Sequence, residues 1–156
     1  MRIAVISDTH GLLRPMVLEA LQGAPVILHA GDVGKPDVLD ALQALAPVHA
    51  IRGNVDRGEW AARLPPSQQV EIAGRRIFLI HDRHDLAIEP GPDGAALDII
   101  VSGHSHRPSH ELRDGITWLN PGSIGPRRFS LPISMAWLTL GATDQPPLVE
   151  FVRFEP

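Results

Sequence analysis

Seven side chains in this sequence are nitrogen or oxygen donors of the kind that hold divalent metal ions: Asp8, His10, Asp32, Asn54, His81, His104 and His106. Each stands just past a short apolar run. Asp8-Thr9-His10 follows Ile3-Ala4-Val5-Ile6, and Gly31-Asp32 follows Val26-Ile27-Leu28. Gly53-Asn54 closes the run from Val48 to Ile51, and His81 follows Ile77-Phe78-Leu79-Ile80. Gly103-His104-Ser105-His106 follows Leu97-Asp98-Ile99-Ile100-Val101-Ser102. Such runs read as buried strands. In open α/β sheets, ligands bind beyond the carboxyl ends of the strands. Imidazole with carboxylate suits manganese, iron, zinc, nickel or cobalt. Seven donors exceed what one catalytic ion with an open position needs. A carboxylate shared between two ions would use them all, so the inventory predicts a dinuclear site.

The elements that must position these groups follow from the pattern. Residues 2–7, 26–30 and the run from Val48 read as three strands. Residues 12–22 carry a helical face of Leu12, Met16, Leu18 and Leu21, ended by Gly23 and Pro25. Pro36 opens a second helix with Val38, Leu39, Leu42 and Leu45 as its apolar set. A β-α-β-α-β order implies a parallel sheet with right-handed crossovers. Val70 to Leu79 then reads as two strands around a tight turn at Gly74. Arg83 to Ala96 starts as loop, with Pro90, Gly91, Pro92 and Gly94, and has room for a short helix. Residues 98–102 and Gly115 to Leu119 are strands, the latter after the turn Arg113-Asp114-Gly115. Ile133 to Leu140 and Leu148 to Phe154 form a closing hairpin.

With 156 residues the chain predicts one domain, residues 1–156, with a sizeable core. A formal net charge of −4 and no basic stripe argue against stable nucleic-acid binding. The absence of cysteine removes disulfides, thiolate ligands and a cysteine nucleophile. Only four apolar residues precede Ser7-Asp8, too few for a signal peptide, and no run approaches a membrane span. A cytoplasmic enzyme is the expectation.

Asp8-x-His10, Gly31-Asp32, Gly53-Asn54-x-Asp56, His81 and Gly103-His104-x-His106 together resemble the motifs of the calcineurin-like metallophosphoesterases. The length, and Asn120-Pro121-Gly122-Ser123 downstream, resemble that superfamily's small single-domain phosphodiesterases. Five motifs in one order are specific where one alone would be weak. The resemblance implies an α/β fold, a four-layer α-β-β-α sandwich of two mixed β-sheets flanked by helices. It implies that Asp8, His10, Asp32 and His106 take a first ion, and Asp32, Asn54, His81 and His104 a second. Asp32, Asn54 and His81 are the donors it makes most directly catalytic. Manganese is the expected metal, with iron, nickel, zinc or cobalt as alternatives. The expected substrate is a small-molecule or nucleotide phosphodiester, and homo-oligomers occur among relatives.

Charge supports a phosphate substrate. Two divalent ions against two carboxylates and a hydroxide leave one net positive charge, which attracts a phosphate anion. Two ions about 3.5–4 Å apart acidify a bridging water and clamp a phosphoryl group for in-line attack. Two departures from the family pattern bear on this. Val55 stands where many larger relatives have a His thought to protonate the leaving oxygen. General acid help is worth about 10²–10⁴-fold, so leaving groups that need no proton should be preferred. Asp82-Arg83-His84 replaces the usual Gly and His after His81. Asp82 is then a candidate to orient a ligand histidine, and His84 a candidate proton donor and substrate contact. Arg127 matches a family position near the pocket and would bind phosphate through its planar fork; the alternative is a solvated Arg127-Arg128 pair. Asp56 either holds the Gly53-Asn54 loop or touches the chemistry. His29 either supports the site from behind or is a hydrogen-bonded core histidine. The competing function is a non-catalytic interaction scaffold with the same fold.

Overall fold

A computed structural model of the chain describes residues 1–86 and 97–156. The Pro- and Gly-rich part of the stretch up to Ala96 lies outside the described residues.

Strands β1 (Arg2–Ile6), β2 (Ile27–His29) and β3 (Val48–Ala50) alternate with helices α1 (Pro15–Ala20) and α2 (Pro36–Gln43). The three strands pair in parallel, Ala4 opposite Ile27 and Ile27 opposite Val48. After a one-turn helix α3 (Glu59–Ala62), β4 (Ser67–Ile72) and β5 (Arg75–Ile80) form an antiparallel hairpin. A single 3-10 turn covers Arg83–Asp85. Then come β6 (Ile99–Val101), β7 (Ser109–Arg113), β8 (Ile116–Asn120), β9 (Ile133–Thr139) and β10 (Leu148–Phe154). They build two mixed five-stranded sheets, ordered β10-β9-β1-β2-β3 and β4-β5-β6-β8-β7. In the second sheet β5, β6 and β8 run parallel.

Alternation along the strands explains the layers. Side chains point to opposite faces every second residue. Ile3 and Val5 of β1 therefore face inward and pack with Leu28, Ile77, Leu79, Ile99, Val101 and Leu119 from both sheets. Ala4 and Ile6 face the other way, onto Val17 and Leu21 beside α1 and Val38 and Leu42 of α2. The apolar layer between the sheets brings the carboxyl ends of two parallel trios together at one edge of the molecule. That edge carries all seven donor residues.

Several elements differ from the sequence reading. Helix α1 starts at Pro15, not near residue 12, because residues 9–12 turn back on themselves through Leu12 N–H donating to Thr9 O. Strand β7 and helix α3 had no expectation. Ser109-His110-Glu111-Leu112-Arg113 is exposed along nearly its whole length, as an edge strand covered on neither face, and a four-residue helix shows no periodicity.

Candidate metal centre

Five loops, after β1, β2, β3, β5 and β6, interlock at this edge. The β1–β2 ladder continues beyond the strands, with Asp8 N–H donating to Gly31 O at 3.0 Å and His10 N–H to Asp32 O at 2.9 Å. Two positions apart, Asp8 and His10 would share one side of an extended strand, and the backbone here is not extended. Asp8 and His10 lie in the left-handed region at φ 57° and 47°. Asp32, His104 and His106 share that conformation, at φ 56°, 72° and 62°. It is uncommon outside glycine, with Asp, Asn and His the residues most tolerant of it, and its cost is held in place by surrounding structure. Five of the seven donors are therefore set in a strained backbone.

The surrounding structure is tight. A Cβ on Gly103 would collide with Ser7 Oγ, and one on Gly53 with Asp32 itself. Gly103 lets loops of the two sheets approach each other, and Gly53 does the same for neighbouring loops of the first sheet. Asp56 joins two of them. Its buried carboxylate accepts from the N–H groups of Val33 (3.1 Å), Gly34 (2.8 Å) and Gly53 (2.9 Å). His29 joins two more. Its Nδ1 accepts from Gly31 N–H at 3.1 Å. The remaining proton is therefore on Nε2, which donates to Thr9 Oγ1 at 3.0 Å. Thr9 Oγ1 in turn donates to Val33 O at 2.8 Å. Burial pushes the His29 pKa down to about 4, more than Asp8, Asp56 and Asp32 can offset, so the ring is neutral. Asn120 braces the next loop, donating from Nδ2 to Gly103 O and Ser105 Oγ at 2.9 and 3.1 Å. Ser123 Oγ donates to Asp8 O at 2.9 Å.

Asp8 is fully buried. Its Oδ2 accepts from Ser7 Oγ at 2.6 Å and from His104 N–H at 3.1 Å. Its Oδ1 has no hydrogen-bond partner and faces imidazole nitrogens. His106 Nε2 lies 3.3 Å away, His10 Nε2 3.7 Å and His81 Nε2 3.8 Å. Asp32 repeats the arrangement. Oδ1 accepts from Val55 N–H at 3.0 Å, and Oδ2 sits 3.1 Å from His81 Nε2 and 3.5 Å from His10 Nε2. Asp32 thus presents one oxygen to the cluster, not both. Burial raises the carboxyl of Asp8, but His10, His106, Ser7 and His81 outweigh it and hold it well below the usual carboxylate range. Asp32 is likewise lowered, against its own burial, by His81 and the Val55 N–H.

His81 donates from Nδ1 to Ala30 O at 2.7 Å, which turns Nε2 toward the two carboxylates. Burial opposes its charge, yet Asp32, Asp8 and the Ala30 carbonyl raise its pKa to about 9. Two rings pair on each side. His10 and His106 have centroids 5.3 Å apart, and His81 and His104 5.2 Å apart. Ligand atoms of Asp8, His10 and His106 fall within one cation-sized group, and those of Asp8, Asp32 and His81 within a second.

Asp8 Oδ1, His10 Nε2 and His81 Nε2 are buried and unpartnered, and His106 turns its Nε2 toward the same space. Buried polar atoms are rarely left so, and several converging on one space are what a divalent ion satisfies. The donor set, carboxylate with imidazole, is that of a transition-metal site. The other expected residues are more exposed. The His104 ring is 44% exposed, and Asn54 is exposed in the loop that Asp56 braces. Asp82 Oδ2 lies 3.7 Å from His104 Nε2, too far for a hydrogen bond. His84 is bound to Asp82 through its N–H (3.0 Å) and its Nδ1 (2.9 Å). Arg127 is exposed and, among the described residues, makes no hydrogen bond or ion pair. Ser7 and Thr9 were missed by sequence reasoning, their only signal being a small hydroxyl next to a donor.

Residues 1–143 match the model of the calcineurin-like phosphoesterase superfamily domain. The chain belongs to this superfamily. Among its relatives is a probable metallophosphoesterase of Methanothermobacter thermautotrophicus, 36% identical over 149 residues, covering 86% of this chain and 84% of the relative. The phosphodiesterase YfcE of Escherichia coli is 32% identical over 161 residues, covering 88% and 87%. In fold the phosphoesterase domain is similar to a structure described as a novel archaeal phosphodiesterase, with TM-score 0.79, 22% identity and coverage of 99% and 100%. It is also similar to Vps29 of Entamoeba histolytica complexed with zinc, with TM-score 0.72, 23% identity and coverage of 99% and 100%. Among the described residues, no helix is long and apolar enough to cross a membrane.

Proposed function

We propose that this phosphoesterase is a dinuclear, metal-dependent phosphodiesterase acting on small phosphate diesters, with manganese as its working metal. The observation that carries the reading is the set of buried, unpartnered donor atoms on Asp8, His10 and His81, within two imidazole pairs, His10 with His106 and His81 with His104, about two carboxylates. Asp8, His10, Asp32 and His106 would hold one ion, and Asp32, Asn54, His81 and His104 the other. Such a pair of ions acidifies a water and neutralises the oxygens of a phosphoryl group.

The chain's own residues do the rest. Asp8 and Asp32 keep one oxygen tied to hydroxyl or backbone N–H groups and the other free, so their orientation is set before anything binds. His81 spends Nδ1–H on Ala30 O, which commits Nε2 to the centre. Val55 gives its N–H to Asp32 and offers no proton to a leaving oxygen. Two cavities of about 300 and 370 Å³ open beside the cluster, within the range for small ligands. His84 lines the first and Asn54 the second. His84 is the better placed substrate contact; Arg127 lines neither.

The scaffold reading is favoured only by the likeness in fold to Vps29, a vacuolar protein sorting protein by name. The intact donor set argues for the enzyme. The test is hydrolysis of bis-p-nitrophenyl phosphate with manganese and with chelator, for wild type and Asn54→Ala. Turnover should require the metal and fall at least about 100-fold in the variant. Folded wild-type protein inert with manganese, iron, nickel, zinc and cobalt would overturn the proposal.

A further inference from the structure

The two cavities beside the cluster have one lining residue in common, Asp82. It stands on the rim between them, with its side chain 23% exposed. Its Oδ1 is held by both the N–H and the ring Nδ1 of His84, which fixes the carboxylate against rotation. The free oxygen, Oδ2, points to the second imidazole pair and ends 3.7 Å from His104 Nε2. A phosphate ester bound at that pair, with a substituent in either cavity, would meet this oxygen.

We infer that Asp82 is a charge filter that makes the site select singly charged phosphodiesters over doubly charged monoesters. The inference rests on the dinuclear reading above. Two divalent ions, Asp8, Asp32 and a hydroxide leave one positive charge. The cavity lining, Asp82 included, adds nothing to it. Arg52, Arg83 and Arg107 are matched by Asp82, Asp85 and Glu111, and Arg83 is itself 3.7 Å from Glu111. One negative charge on the ligand therefore neutralises the site, and a second gains nothing from it and is repelled by the nearest carboxylate. At several ångströms in a half-hydrated cleft, one such carboxylate weakens binding of a dianion by about tenfold and of a monoanion by about threefold. A diester also has two substituents, and the site offers a cavity on either side of the filter.

The experiment compares wild type, Asp82→Asn and Asp82→Ala by calorimetry. Manganese is titrated into the metal-free proteins. Inorganic phosphate at pH 8.5, a dianion, and dimethyl phosphate, a monoanion, are then titrated into the loaded ones. Both variants should bind phosphate about tenfold more tightly and dimethyl phosphate within threefold of wild type. Manganese should bind them more weakly, since a nearby negative charge has gone. Equal shifts for the two anions, or none, would overturn the filter while leaving the metal centre standing. A wild type that binds no manganese would overturn both. Thermal melts of the two variants show whether each is folded, and the Asn variant keeps the shape if the Ala variant does not.

Discussion

Left-handed backbone serves one end at the hairpin tips and another at the candidate metal centre. At the hairpin tips it makes turns. Ala73-Gly74 joins β4 to β5 and Asp114-Gly115 joins β7 to β8, with φ values of 51°, 77°, 50° and 79°. These are the two-residue turns whose twist matches the strands they join. A Cβ on Gly115 would meet nothing. At the strand ends that carry the donors, the same conformation occurs at Asp8, His10, Asp32, His104 and His106. There the glycines between them are needed for room. Gly31 lies against His81 and Gly53, Gly53 against Asp32, and Gly103 against Ser7 and Asp8. A turn needs only a torsion angle. The metal centre needs torsion angles, close packing and hydrogen bonds together, so a single change there should do more than one at a hairpin tip.

The largest separation should come from Asp56→Ala. It leaves the buried N–H groups of Val33, Gly34 and Gly53 without an acceptor, at about 1–3 kcal/mol each. Denaturant unfolding should show a loss of about 3–5 kcal/mol, together with loss of metal binding. Asp56→Asn, which keeps an acceptor oxygen, should lose less.

His29 sharpens the contrast through pH. Its pKa is about 4 in the folded chain against 6.5 unfolded. Below pH 6.5 the unfolded chain takes up a proton that the folded one refuses. Its contribution is therefore complete above pH 6.5 and lost as pH falls toward 4, a loss on the order of 3 kcal/mol. Stability measured at pH 7.5 and 5 should fall more in wild type than in His29→Gln, by about 2 kcal/mol. Equal slopes would remove His29 from the account.

Gly103→Ala should cost about 2–3 kcal/mol, because the new methyl meets Ser7 and Asp8. Metal-dependent activity should fall at least about 100-fold, since those same atoms orient the donors. The smallest effect is expected at Gly115→Ala, where only the torsion matters. Thermal unfolding should show about 1 kcal/mol lost, and activity should be unchanged. A Gly115 variant as inactive as the Gly103 variant would break the comparison. The absence of a proton donor at Val55 gives a kinetic counterpart. Aryl diesters should turn over well and alkyl monoesters poorly, and equal rates on both would refute it.

The donors were legible because chemistry restricts residue type more than position. Asp, His and Asn in one order at the ends of apolar runs are specific as a set where each alone is not, and parallel strands aim those ends one way. The two-sheet architecture was implied by the resemblance of the motifs, since periodicity alone fits a simpler three-layer fold as well. The left-handed torsions at Asp8 and His10 were not legible. They arise from the bond between Thr9 and His29, residues 20 positions apart, and from the ladder to Gly31 and Asp32. Strand β7 was hidden because Ser109 to Arg113 is an edge with little apolar alternation. The single-oxygen presentation of Asp32 depends on the Val55 N–H, a backbone group that no side-chain pattern reveals.

The central claim is that the strand ends hold two divalent ions. Its most direct measurement is the metal content of the purified chain after manganese loading and gel filtration, with an electron paramagnetic resonance spectrum of the same sample. The account predicts two manganese ions per chain and an exchange-coupled spectrum, with Asp32→Asn losing the coupling. A chain that retains one ion or none, or two ions that do not couple, would contradict it.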